Sequence, residues 1–178
     1  MIGVAIDPGL RGCGVAVFNL EEKRLIRAEY VKNPCTSGNS ATEARELRRA
    51  IDAMLSNPCA GLHSRLWYEI PRSYVAGSQK GSQNDLIDLA GFMFAIACSP
   101  VFEGAALTRY FPRDWKGTLN ADQMIERIEK RLSPAETAAV KDAGYLAHNV
   151  IDAVGIGLKA LGRLEPKRVF DFQPLAKG

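Results

Sequence analysis

Little in this sequence belongs to a metal-knuckle, disulfide-stapled or membrane protein. It holds four cysteines, Cys13, Cys35, Cys59 and Cys98, with no C-x-x-C pair and only two histidines in 178 residues. That spacing argues against a zinc site and fits reduced thiols in a cytosolic protein. No basic stretch opens the chain, and no apolar run reaches membrane-spanning length, so a soluble, cytoplasmic protein is expected. Charge of one sign is also missing. Twenty-three Lys and Arg against twenty Asp and Glu leave a net charge of +3, compatible with nucleic acid but too small to argue for it alone. Neither an internal repeat nor a linker rich enough to divide the chain is present.

What is present is an ordinary globular composition, 47% hydrophobic and 24% charged, in a length suited to one core. Residues 2–7, IGVAID, read as a buried strand. Residues 14–20 and 24–32 follow at hairpin spacing around the turn EEK, giving an antiparallel meander. Residues 33–40 form a loop, with Ser40 or Thr42 capping a helix that runs to residue 56. Residues 64–70, SRLWYEI, read as the next strand, followed by a Gly/Ser-rich loop at 71–84. Residues 85–98 read as a helix apolar almost all round and therefore buried, and 104–111 as a strand closed by Pro112. Residues 121–133, 134–144 and 145–164 are helical. The pattern predicts one α/β domain over 1–165, a mixed sheet with helices on its faces, and a basic, irregular tail over 166–178.

Three carboxylates stand out by position. Asp7 ends the first strand before Pro8-Gly9, Glu69 ends the fourth before Pro71, and Asp152 sits inside an apolar helix. Each has a bland reading as a turn residue, a cap or a salt-bridge partner. Gathered together they would repel one another, and a divalent cation would relieve that. Mg²⁺ suits such a site, and two ions could support phosphodiester cleavage. His148 and Asn149 share the helical face of Asp152. His148 is a candidate ligand or general base, Asn149 a neutral ligand or a hydrogen-bond partner of the acid.

GVAIDPGLRGCGVAVF resembles the opening of the RuvC-type Holliday-junction resolvases, members of the RNase H-like nuclease superfamily. Glu69 resembles their second acid, and DLIDLAGFMFAIA the helix after it. YFPRDWKG matches their Pro-x-x-x-Lys segment at Pro112 and Lys116, and HNVIDAVGIGL their last helix with its final metal ligand, Asp152. Order and length fit over nearly the whole chain. At the position where those proteins carry Asp or His, three residues before the last acid, this chain has Asn149, with His148 one residue earlier. The segment after Lys116 is shortened to GTLNADQM, and a second lysine is not evident there.

The resemblance implies an RNase H-like five-stranded mixed sheet with helices on both faces. It implies a homodimer that nicks two strands of a four-way DNA junction symmetrically, one Mg²⁺-dependent site per subunit, with Mn²⁺ as a substitute. The catalytic set is then Asp7, Glu69, Asp152, His148 and Lys116, with Asn149 among the possible metal ligands. Arg11, Arg72, Tyr74, Lys80, Arg113 and Lys116 are candidates for DNA contact, and Gln83 lies beside the same loop. Trp115 reads as packing rather than base stacking. Phe92, Met93 and Phe94 cover too much of their helix for one sheet to serve, which points to a dimer face. Alternatives are an RNase H-like nuclease for structured RNA resembling the YqgF group, and a junction-binding protein without catalysis. An actin-like phosphotransferase would need a second domain for which there is no room.

Overall fold

The architecture was obtained as a computed structural model, which describes residues 1–56, 63–70, 83–140 and 147–164. Three strands, β1 (Ile2–Asp7), β2 (Gly12–Asn19) and β3 (Arg24–Lys32), form the antiparallel meander. Helix α1 (Ser40–Leu55) then carries the chain to β4 (His63–Glu69), which pairs parallel with β1. Helix α2 (Gln83–Ala97) and a 3-10 turn at Pro100–Phe102 lead to β5 (Ala106–Tyr110), parallel with β4. Helices α3 (Pro112–Lys116), α4 (Ala121–Glu129), α5 (Pro134–Ala138) and α6 (Ala147–Ala160) complete the described fold. The sheet order is β3-β2-β1-β4-β5, the five-stranded mixed sheet that the sequence predicts.

The two faces of the sheet are built from different residues. Successive side chains on a strand alternate faces. Ile2, Val4 and Ile6 of β1 join Cys13, Val15 and Val17 of β2 beneath α1 and α2, packed against Leu47, Ile51, Phe92, Met93 and Ile96. The intervening positions, Gly3, Ala5, Gly14 and Ala16, are small. Over them lies α6, contributing Val150, Ala153 and Val154, with Phe18, Trp67 and Trp115 filling the flanks. The approach is close: a Cβ on Gly14 would fall 1.9 Å from the Asn149 carbonyl oxygen, and one on Gly157 would fall 2.0 Å from the Phe18 ring. A side chain at either position would push the helix off the sheet.

Several expectations need correction. Asn39 caps α1, its side chain accepting from the Thr42 N–H at 3.0 Å, because Ser40 and Thr42 already lie inside the helix. Helix α2 is not buried all round. Phe92 and Met93 face the core, whereas Ile87 and Phe94 are 69% and 63% exposed. The segment 121–133 breaks after Glu129, since Ser133 caps a separate α5 through a capping box with Glu136. Helix α3 was not read from the sequence at all. Its five residues are started by Pro112, which needs no N–H at that position.

Glu136 ties this side of the molecule together. Its carboxylate accepts from the Leu25 N–H at 2.8 Å, the Ser133 N–H at 2.9 Å and the Arg163 guanidinium at 2.5 and 3.0 Å. Arg163 also donates to the carbonyls of Lys23 and Arg131. The free edge of β3 is closed nearby, where the Ala28 N–H donates to the Ala139 carbonyl at 2.9 Å. Among the described residues, no helix is long and apolar enough to cross a membrane, and Cys13, Cys35 and Cys98 are free thiols. Cys59 and the 166–178 tail lie outside the described residues.

Candidate active site at the strand ends

Asp7 is the last residue of β1, on the face covered by α6, and 7% exposed. The Pro8-Gly9 turn stops the strand directly after it, with the Gly12 N–H donating to the Gly9 carbonyl at 3.2 Å. Glu69 ends β4, the parallel neighbour of β1, and lies two residues after Trp67, hence on the same face. Asp152 reaches the same place from α6. Two adjacent parallel strands ending together, under a helix drawn close by small residues, are what bring three distant carboxylates to one corner.

Each of the three acids there feels the charge of another acid or of Lys116. Burial pushes the Asp7 carboxyl well above the ordinary carboxylate range; the negative charges of Glu69 and Asp152 add to this, and Lys116 opposes it. Glu69 is also raised by burial, against the pull of the Lys116 charge and the Trp115 hydrogen bond. Asp152 is raised by burial too, against Lys116 and the weaker field of His148. Lys116 sits amid the three acids. Its ammonium donates to Asp152 Oδ2 at 2.5 Å. Burial draws its pKa down, but the fields of Glu69, Asp152 and Asp7 more than reverse this and leave it raised.

The neighbouring residue on α3 holds the second acid. The Trp115 indole N–H donates to Glu69 Oε2 at 2.7 Å, and the Lys116 ammonium lies 4.6 Å from the Trp115 ring centroid. Trp115 is 3% exposed, and a Cβ on Gly155 would lie 2.3 Å from its ring, so α6 leaves room for the indole. The sequence reading of Trp115 as packing holds, but it misses this polar contact. The available signal was its place beside Lys116, in a segment already tied to the acids.

The remaining candidates divide clearly. Asn149 is half-buried, its amide nitrogen 3.2 Å from where a Cβ on Gly9 would stand, at the turn after Asp7. His148 is exposed one residue earlier, and its charge acts on Asp152. Arg113 is exposed on α3, three residues before Lys116, and the exposed Arg11 follows the Asp7 turn. Arg72, Tyr74 and Lys80 lie outside the described residues, as does the Gln83 side chain.

Among the described residues, no three His, Cys, Asp or Glu side chains are arranged to hold a metal ion as they stand. The Lys116 ammonium supplies the positive charge in this corner. The donor set nevertheless suits a hard divalent cation, being three carboxylates around a cationic centre in a partly buried place.

No protein-family model matches the chain, and no curated protein matches it by sequence. Solved structures do match. The Thermus thermophilus RuvC in complex with a Holliday junction substrate aligns with a TM-score of 0.60 at 21% identity, covering 91% of this chain and 94% of that one. The fowlpox virus Holliday junction resolvase aligns at 0.54 and 12% identity, over 93% and 100%. The yeast mitochondrial Holliday junction resolvase Ydc2 aligns at 0.52 and 9%, over 91% and 81%. This chain therefore has the RNase H-like fold of the RuvC-type Holliday junction resolvases.

Proposed function

We propose that this protein is a divalent-metal-dependent endonuclease that resolves four-way or other branched DNA junctions by symmetric nicking. One observation carries the reading: Asp7, Glu69 and Asp152 meet at adjacent strand ends around a cation, in a fold shared with junction resolvases. Asp7, Glu69 and Asp152 would hold Mg²⁺, or Mn²⁺ in its place, in a two-ion arrangement completed by His148 or Asn149. Bound there, the ions supply the Lewis acidity that makes water a nucleophile and stabilises the leaving oxygen.

The chain's own residues do the rest. The buried acids concentrate negative charge where the ions enter. Lys116 brings a positive charge that can offset the scissile phosphate. Exposed Arg11, after the Asp7 turn, and Arg113, on the helix that carries Lys116, fit phosphate contact, and Arg72, Tyr74 and Lys80 complete the DNA-binding set proposed from the sequence. The working unit is the 1–165 domain with its basic 166–178 tail, acting in the cytoplasm.

A homodimer belongs to the same reading. Exposed Ile87, Gly91 and Phe94 lie along one face of α2, at spacings of four and three. Ile87 and Gly91 also border a groove of about 440 Å³ between α1 and α2, lined further by Ala44, Arg45, Arg48, Asp88, Phe92 and Ala95. Ridge and groove on one patch suit a two-fold contact between copies. Light scattering at micromolar protein should give twice the 19.4 kDa chain mass, and Phe94→Asp should return it to the monomer.

The decisive experiment incubates labelled four-way, Y-shaped and linear duplex DNA with the protein, with Mg²⁺ and with chelator. Nicking of the four-way junction only with Mg²⁺ supports the proposal. Tight junction binding without nicking would favour a silent binding protein.

A further inference from the structure

Helix α3 presents two consecutive side chains to the acid corner, and each engages a different carboxylate. Trp115 fixes Glu69 through its indole N–H, and Lys116 holds Asp152 in an ion pair. Both Lys116 and Asp152 are largely withdrawn from solvent, with side chains 25% and 20% exposed. Trp115 is anchored among Met124 and Ile128 and fitted over Gly155, so the helix itself has little freedom. The lysine side chain, by contrast, has a flexible four-carbon stem and, among the described residues, one ion pair, to Asp152.

We propose that the Lys116 ammonium is a built-in stand-in for the divalent cation, and that cation entry exchanges with it at Asp152. This rests on the metal-dependent reading above. Three ionised carboxylates in a partly buried corner need a counter-charge or must take up a proton. In the ion-free protein Lys116 supplies the counter-charge. An incoming divalent ion at Asp152 would stand beside the Lys116 ammonium, and the repulsion between the two positive charges works against the ion pair. Lys116 therefore leaves Asp152 when the ion arrives, while Trp115 keeps Glu69 oriented. The released ammonium is then free to meet a phosphate oxygen.

The exchange is read directly by lysine footprinting on the full chain without DNA. Dilute amine-reactive reagent is applied with Mg²⁺ and with chelator, and peptides are quantified by mass spectrometry. Lys116 labelling should rise several-fold at saturating Mg²⁺, while Lys130, in an exposed surface ion pair, and Lys159 stay constant. In calorimetry with Mg²⁺ alone, Lys116→Met should bind the ion about tenfold more tightly or better. Lys116 labelling that stays flat or falls while calorimetry shows bound Mg²⁺ overturns the exchange and leaves the nuclease reading standing. Ion affinity that is unchanged or weaker in a folded Lys116→Met protein does the same. No bound ion in either protein overturns the exchange, while the nuclease reading stands or falls on the junction-nicking experiment.

Discussion

Two buried acid sites in this molecule have similar ingredients and opposite electrostatics. At the β3 edge, burial alone would raise the Glu136 carboxyl, but Arg163 and the N–H groups of Ser133 and Leu25 outweigh it and bring its pKa down to about 2. At the strand ends, Asp7, Glu69 and Asp152 share one lysine, and burial leaves all three raised. The first site is one acid with donors to spare. The second is three acids with one cation. Glu136 has its donors supplied by the fold, whereas the three acids at the strand ends fit the proposed entry of a divalent cation.

Asp7→Asn should separate the sites most sharply. Junction nicking in Mg²⁺ should drop to background while gel-shift affinity for the junction holds or rises, because a ligand charge is removed and no basic contact is lost. Metal-free thermal stability at neutral pH should rise by a few degrees, since a carboxylate burdened by burial and by its neighbours is neutralised. A fall in melting temperature would mean that Asp7 is as well satisfied as Glu136.

Glu136→Gln should act in the opposite direction on stability. It leaves Arg163 half-buried without its counter-charge, at a cost of about 3–5 kcal/mol by denaturant unfolding. In a refolded, correctly folded sample, nicking per folded molecule should change little. Glu136 also predicts the acid limb of stability. Its folded-state pKa of about 2 lies below the ordinary 4.5, so the unfolded chain binds the extra proton. Its contribution, roughly 3 kcal/mol, is full above pH 4.5 and is lost as pH falls toward 2. The raised acids run the other way: the folded chain holds their protons longer, so stability falls as pH climbs from the ordinary carboxylate range through their folded values. Unfolding followed against pH in chelator should show the acid limb in the native protein and lose it in Glu136→Gln.

Gly14→Ala tests the close docking of α6 with the smallest change. The added methyl meets the Asn149 carbonyl, and overpacking of this kind costs about 1–3 kcal/mol. Because the displaced helix carries Asp152, nicking should fall along with stability, whereas an equally destabilising change at the Glu136 site should spare it. Equal activity in the two variants would break the link between α6 docking and the acid corner.

Much of this was legible in the residues alone. Alternation of Ile, Val and Ala in β1 and β2 announces two covered faces, and the branched-against-small split between those faces is readable once the strands are placed. Asp7, Glu69 and Asp152 could be selected because a carboxylate at a strand end or inside an apolar helix needs a reason. The misses have physical causes. Asn39 takes the α1 cap from Ser40 because the helix starts one residue earlier than its apolar period. Helix α2 looks apolar all round, yet a sheet can cover only one side of it, leaving Ile87 and Phe94 outside. The five residues of α3 are too few for any periodicity to show.

The sequence by itself determined the strand order, every helix but α3, the mixed sheet and the choice of three conspicuous carboxylates, because these follow from local pattern and the side-chain chemistry of single residues. Only the tertiary structure decided that Trp115 would hold Glu69, that Lys116 would hold Asp152, and that Arg163 would satisfy Glu136. Those pairs are separated by 46, 36 and 27 residues. Contacts at that range depend on how closely α6 settles onto the glycines of the sheet, a distance no local pattern encodes.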